Sequence, residues 1–132
     1  MNAAAPQPLT HSQQQIWIGQ RLTPESPLYN MAFAFVFPTE LRADLFCAAW
    51  QRVVDASDAL RTRIVDDERG NPRWTLAARG RSTEVIVLAP GPDPAGAFRE
   101  WGRARCACPL PPDGDLVDSV LVQLGDGRTG WY

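Results

Sequence analysis

Apolar residues recur along this chain at two spacings, and the switches between them mark out its elements. Between Tyr29 and Phe37 the spacing is two. Tyr29, Met31, Phe33, Phe35 and Phe37 share one face, and Asn30, Ala32, Ala34 and Val36 share the other. Large side chains on one face with small ones opposite predict a strand covered on both sides. From about Arg42 to about Ser57 the period becomes helical, with Leu45, Phe46, Ala49, Trp50, Val53 and Val54 in one broad stripe. Thr39 is a candidate cap for that helix. An earlier helix opens at Thr10, because Gln13 three residues on completes a capping box. It ends at the "TPESP" stretch, where proline cannot continue it.

Further along, "LRTRIVD", "DERGNP" and "RWTLAA" read as strand, turn and returning strand. "TEVIVLA" is another short strand. "DPAGAFREWGRARCA" is helical, with Ala97, Phe98, Trp101 and Ala104 on one face and Pro94 near its first turn. "CPLPPDGD" is a loop by composition, and "LVDSVLVQL" is a last apolar strand. "GDG" then predicts a tight turn into a new strand carrying Thr129, Trp131 and Tyr132. The order helix, strand, helix, hairpin, strand, helix, strand predicts a mixed, two-layer α/β unit with its helices on one side of a sheet.

Composition narrows the function classes. With 132 residues the chain is long enough for one cored domain and short for two, and 45% hydrophobic with 21% charged residues is ordinary globular usage. A net charge of −2, with no interleaving of aromatic and basic residues, gives no footprint for nucleic acid. All 13 basic residues are arginine, which reads as codon bias from a GC-rich genome. The first residues carry neither a basic nor an apolar signal region, and the longest apolar run, "MAFAFVF", is far shorter than a membrane helix requires. Three cysteines, an odd number, read as reduced thiols, so a cytoplasmic location without membrane contact is expected.

Candidate chemistry is sparse. The only histidine, His11, lies in the first turn of the first helix, and no nucleophile or metal-ligand set accompanies it in sequence. Cys47 sits in the apolar helix as a small hydrophobe. Cys106 and Cys108 form a C-x-C pair without the further ligands that zinc needs. "DGDLVD" lacks the alternating acids and closing glutamate of an EF-hand loop. The "DDE" of Asp66, Asp67 and Glu68 falls in the expected hairpin turn.

Two stretches carry a family resemblance. "LTHSQQQIW" resembles the first core motif of nonribosomal peptide synthetase condensation domains, S/T-x-A-Q-x-x-L/I-W. Thr10, Gln13, Ile16 and Trp17 match it, and Ser12 stands where alanine is usual. "ASDALRTRI" resembles the second, R-H-E-x-L-R-T-x-F. Leu60, Arg61 and Thr62 match, while Asp58 replaces the usual Glu, Ile64 the usual Phe, and Ala56 and Ser57 the usual Arg-His. The stretches "QRLTPESPLYNMAF" and "CPLPPDGDLVDSVLVQLGDGRTGWY" are also similar to the family, so the likeness runs from Pro8 to Tyr132.

The resemblance implies a partial N-terminal lobe of a chloramphenicol-acetyltransferase-like fold, with residues 1–8 as a tail and 9–132 as an incomplete condensation domain. A native Met1 would put the chain at the front of a synthetase subunit. In the family, the strand after "GDGRTGWY" runs into H-H-x-x-x-D-G, whose second histidine is implicated in catalysis. No catalytic, cofactor-binding or metal residue is therefore assigned within these residues. The implied reaction is amide formation between an acyl or peptidyl thioester and an aminoacyl amine. Upstream and downstream carrier proteins present both on phosphopantetheine, with the rest of the domain as a further partner. The expectation is a chain inactive alone. The alternative is a non-catalytic module that docks a carrier protein or complements the missing lobe. Ile16 and Trp17 either anchor the first helix in the core or line the family's tunnel. Arg61 either holds a buried carboxylate or carbonyl, or makes an ordinary ion pair at a strand edge.

Overall fold

The computed structural model describes residues 5–132. Its elements in chain order are β1 (Gln7–Pro8), α1 (His11–Leu22), β2 (Phe35–Phe37), α2 (Ala43–Ala56), a 3₁₀ turn (Asp58–Arg61), β3 (Thr62–Asp66), β4 (Pro72–Leu76), β5 (Glu84–Val87), α3 (Pro94–Cys106), β6 (Val120–Gln123) and β7 (Thr129–Trp131). The strands form two sheets, one of three strands in the order β1-β4-β3 and one of four in the order β2-β7-β6-β5.

Local chemistry accounts for the element ends. Thr10 caps α1 through its hydroxyl, and the Gln13 side chain returns a bond to the Thr10 backbone N–H at 2.8 Å, completing the capping box. Asp93 caps α3 by accepting from the Gly96 N–H at 2.9 Å, with Pro94 in the first turn, where its missing donor costs nothing. Arg42, not Thr39, occupies the cap position of α2, and no side chain bonds the helix start there. In the β3–β4 hairpin the Asp67 carboxylate accepts from the backbone N–H groups of Arg69 and Asn71 and from Arg73 Nε, at 2.8–3.0 Å. These bonds, led by that from the Asn71 backbone, hold its carboxyl below the ordinary range. One acid of the "DDE" run is thus a turn organiser.

The four-stranded sheet is mixed. β5 and β6 are parallel, and α3 supplies the crossover between them; β6–β7 and β7–β2 are antiparallel. On one face Phe98 of α3 packs with Val120, Val122 and Leu124, all fully buried. Gly130 of β7 lies directly beneath the Phe98 ring. Its neighbour Trp131 points to the other face, where Phe46 and Trp50 of α2 meet it edge-on. The mixed α/β class stands as expected, but the helices are not all on one side. α3 covers one face of this sheet and aromatic residues of α2 reach the other.

Two strands are shorter than their hydrophobic patterns predict. Of Tyr29–Phe37, only Phe35–Phe37 pairs, and Met31 and Phe33 are 88% and 69% exposed rather than covered. The pattern was strand-like, but β7 offers partners only opposite Phe35, Val36 and Phe37. Likewise Leu116–Ser119 precede β6 without strand pairing, since the parallel register with β5 begins at Val120. At the other end, Gln7 and Pro8, read as part of a tail, pair with Trp74 and Arg73 of β4. The first four residues of that tail lie outside the described residues.

Candidate functional site

Two grooves take in Trp17 and Leu60 of the residues that the sequence singled out. The first, of about 560 Å³, lies between α1, β3 and the loop before β6, and Trp17, Gln20, Ile64 and Pro112 line it. The Ile64 N–H donates to the Pro112 carbonyl at 3.0 Å, tying β3 to that loop. The Arg21 guanidinium lies 4.8 Å from the centroid of the Trp17 ring and pairs with Asp66 at 2.9 Å. The fold therefore brings the first motif, through Trp17, and the second, through Ile64, to one surface. Ile16 is 49% exposed, Trp17 is half-buried and no residue of α1 is fully buried. Ile16 joins Trp17 in a smaller recess of about 180 Å³. Thr10 and Gln13 serve the helix cap.

Arg61 makes both a carbonyl contact and an ion pair. Its Nη1 donates to the Ala77 carbonyl at 3.0 Å and its Nη2 pairs with Asp58 at 2.7 Å, with the side chain only 15% exposed. The Arg61 backbone carbonyl also accepts from the Ala77 N–H. The planar fork thus clamps the 3₁₀ turn to the end of the hairpin. Thr62 donates from its hydroxyl to the Asp58 carbonyl at 2.9 Å, closing the same turn.

The second groove, of about 540 Å³, opens where β7 meets β2 and is mainly apolar, with several aromatic side chains in its lining. Its floor is Trp131, stacked on Phe35 with ring centroids 5.6 Å apart and met edge-on by Phe46 at 5.3 Å and Trp50 at 5.7 Å. Trp131 Nε1 donates to Ser119 Oγ at 3.0 Å, and that hydroxyl shares a hydrogen bond with buried Thr83. Leu60 of the second motif also lines this groove.

Its charged wall is locked. Arg105 of α3 grips Asp118 through Nε at 2.5 Å and Nη2 at 3.1 Å and reaches Glu84 at 2.9 Å, while Arg81 adds a contact to Asp118 at 3.2 Å. Burial would raise the Asp118 carboxyl, but the bonds and charge of Arg105 and the charge of Arg81 outweigh it and hold the group ionised below the ordinary range. Burial pushes the Tyr132 phenol up to about 12. At neutral pH the groove thus presents a paired carboxylate and a neutral phenol, neither suited to accept a proton.

One structural residue escaped the sequence reading. The Asn30 amide donates to the carbonyls of Cys106 at 2.7 Å and Cys108 at 2.8 Å, fastening the segment before β2 to the C-terminal end of α3. A lone polar residue inside an apolar alternating run was the available signal. His11 is exposed, with its Nε2 3.2 Å from the Gln15 amide. The three cysteines are free, and no cluster of three or more His, Cys, Asp or Glu suited to a metal occurs among the described residues. No described helix is long and apolar enough to cross a membrane.

Comparison with known proteins agrees with the geometry. A family profile described as "Condensation domain" matches residues 4–89. The chain is 35% identical over 131 residues to an isonitrile lipopeptide synthase of Streptomyces coeruleorubidus, covering 95% of this chain and 9% of that protein. It is 27% identical over 125 residues to a dimodular nonribosomal peptide synthase of Bacillus subtilis (strain 168), covering 94% of this chain and 5% of that protein. Among solved structures, the starter condensation domain of rhizomide synthetase, crystallised with C8-CoA and Leu-SNAC, superposes with a TM-score of 0.84 at 29% identity, over 97% of this chain and 30% of that one. The first condensation domain of the calcium-dependent antibiotic synthetase gives 0.83 at 25% identity, over 97% and 32%. The chain thus spans about a third of those solved chains and a smaller share of the synthetases. On both motifs, the fold and these likenesses, the chain belongs to the condensation-domain family of nonribosomal peptide synthetases.

Proposed function

We propose that the chain supplies part of a condensation domain that forms an amide. In that reaction the acceptor amine attacks the carbonyl of the donor thioester. The C–N bond forms, the C–S bond breaks, and the thiol leaves with the proton that the amine loses. Both reactants arrive on the phosphopantetheine arms of carrier proteins, in the cytoplasm, and holding two tethered groups in one cavity supplies much of the rate. The observation that carries this reading is the meeting of the two motif stretches, through Trp17 and Ile64, in a chain similar to condensation domains over nearly all its length.

The residues here position rather than react. Arg61 and Thr62 hold the turn after α2, and Trp131 with Phe35 forms an apolar wall. The sequence holds no H-H-x-x-x-D-G, His11 is exposed on α1, and Asp118 is committed to Arg105 and Arg81. On these grounds the 132-residue chain is inactive alone. A second reading, a lobe-complementing module, draws on the exposure of Met31 and Phe33.

The test incubates C8-CoA and Leu-SNAC, with a panel of other acyl-CoA donors and aminoacyl-SNAC acceptors, and measures the amide by mass spectrometry. The expected result is no product above the uncatalysed background from the 132-residue chain, and product from the protein translated from the longer natural reading frame. Amide made by the short chain would overturn its inactivity. Absence of amide with the longer protein across the panel would overturn the amide-forming assignment.

A further inference from the structure

Most polar side chains lining the groove floored by Trp131 already have partners within the chain. The Asn30 amide is spent on the carbonyls of Cys106 and Cys108. Trp50 Nε1 donates to the Arg81 carbonyl at 3.2 Å, and the Cys108 thiol to the Ala104 carbonyl at 3.7 Å. Among the described residues, the charged ones in this lining, Arg105 and Asp118, are paired with each other, and the phenols of Tyr29 and Tyr132 are the polar exceptions. Phe33, Phe35, Leu60 and Leu116 complete the walls. A cavity of about 540 Å³ with this lining suits a part of a substrate that carries no polar atoms. A polar group brought against these side chains would give up water for few partners.

The polar group of the floor itself, the Trp131 indole N–H, is taken up by a buried pair of hydroxyls. Glu84 lies opposite Val120 in the parallel β5–β6 register, so Thr83 and Ser119 stand side by side one residue earlier. They are 8% and 2% exposed, and their oxygens share a hydrogen bond at 3.0 Å. Trp131 pairs with Leu121 across β6 and β7, and alternation puts Ser119 on that same face. From there Ser119 Oγ accepts from Trp131 Nε1 at 3.0 Å. An indole nitrogen only donates, so it needs an acceptor wherever it is not in water. With Ser119 present, the N–H is directed at a buried oxygen and the rest of the ring is left to face the groove. Without that oxygen the N–H has to turn to the groove or to water, which puts a polar donor into an apolar floor.

We propose that Ser119 is a positioning residue that fixes Trp131 as an apolar floor, and that this groove takes the hydrocarbon part of the donor acyl group. The assignment rests on the amide-forming reading and narrows its donor from acyl or peptidyl to an acyl group with a hydrocarbon chain. A peptidyl donor carries an amide N–H and a carbonyl at each residue, and the engaged side chains of the groove would leave these unpaired. The acceptor brings an amine, which suits such a lining no better. Ser119 touches no reactant in this scheme and acts through the indole alone.

Steady-state kinetics on the protein from the longer natural reading frame test this, with Leu-SNAC as acceptor and acetyl-CoA or C8-CoA as donor. The parent should prefer C8-CoA in kcat/KM. Ser119→Ala should cut that preference on the order of tenfold, through the KM for C8-CoA. In a Trp131→Phe background, which has no N–H to place, Ser119→Ala should leave the preference unchanged. Phe98→Leu, which loosens the opposite face of the sheet, should also leave it as in the parent, separating positioning from general destabilisation. Should Ser119→Ala fail to fold, Ser119→Cys keeps the volume while weakening the acceptor, and a smaller loss of the same sign is expected. A parent without preference for C8-CoA would overturn the inference. So would a preference that survives both Ser119 variants, or a Ser119→Ala effect of equal size with and without the indole. Amide made from both donors without preference would sink this inference and spare the functional reading. C8-CoA binding that weakens in Ser119→Ala by calorimetry, with no amide across the panel, would do the reverse.

Discussion

Gly130→Ala concentrates the packing of this fold into one methyl group. A Cβ at Gly130 would lie 2.8 Å from Phe98 Cζ and 2.9 Å from both Cε atoms. To reach ordinary contact at 3.4 Å the ring would have to retreat by about 0.6 Å, and Phe98 is 0% exposed. Val120, Val122 and Leu124 pack around it, so its retreat would displace the core on which α3 sits. Overpacking of this kind costs about 1–3 kcal/mol. Replacing a strand glycine by alanine returns roughly 0.5–1 kcal/mol of backbone entropy, which is the smaller term. The expected net is a loss of about 1–2 kcal/mol, a fall of about 1 M in the urea midpoint for a typical dependence on denaturant.

The internal control is Gly102→Ala in α3. Its Cβ would meet the Tyr132 ring at 3.5 Å, an ordinary contact, in a helix interior where alanine is favoured by about 1 kcal/mol. The two substitutions should therefore move the midpoint in opposite directions when unfolding is followed by tryptophan fluorescence. Phe98→Leu, harmful alone because it leaves a void, should recover part of the Gly130→Ala loss when the two are combined. A Gly130→Ala midpoint equal to or above that of the parent would refute the claim that Phe98 cannot move.

Other outcomes follow from single contacts. Asn30→Ala removes both bonds to the end of α3 and should cost about 1–2 kcal/mol. Asn30→Asp should cost more, because its oxygens would face two carbonyls, and a urea midpoint unchanged by Asn30→Asp would count against the staple. In a Tyr29→Phe background, absorbance titration should place the Tyr132 phenol at about 12 instead of its ordinary 10.0. Since the folded value is raised, the stability that this group contributes is complete below pH 10 and is lost as pH rises through about 12. A phenol titrating near 10 would show that burial does not hold it.

Much of the site's framework was legible in the residues themselves. The Thr10–Gln13 capping box, the hairpin from Thr62 to Leu76 and the start of α3 at Pro94 depend on neighbours within a few positions. Local chemistry of that range is written in the sequence, and it led to the right elements. The two motif stretches, Thr10 to Trp17 and Leu60 to Thr62, likewise pointed to the family. The sequence missed what depends on distant partners. Asn30 bonds carbonyls at Cys106 and Cys108, and Arg105 grips Asp118 across the loop that joins α3 to β6.

The division has one physical cause. Periodicity reports which face of an element is apolar, because side-chain direction follows from the backbone's own repeat. It therefore determined that Tyr29 to Phe37 is suited to pleated backbone and that Arg42 to Ser57 is suited to a helix. Periodicity carries no information about which surface will meet that face. Only the tertiary structure decided that β2 would lie against β7 and not against another strand, since the pattern of β2 does not name its partner. Tertiary structure alone also placed α3 beneath Gly130 and set Phe46 and Trp50 of α2 against Trp131 on the opposite face. The faces of the elements are local properties of the chain, and the choice of which faces meet belongs to the folded whole.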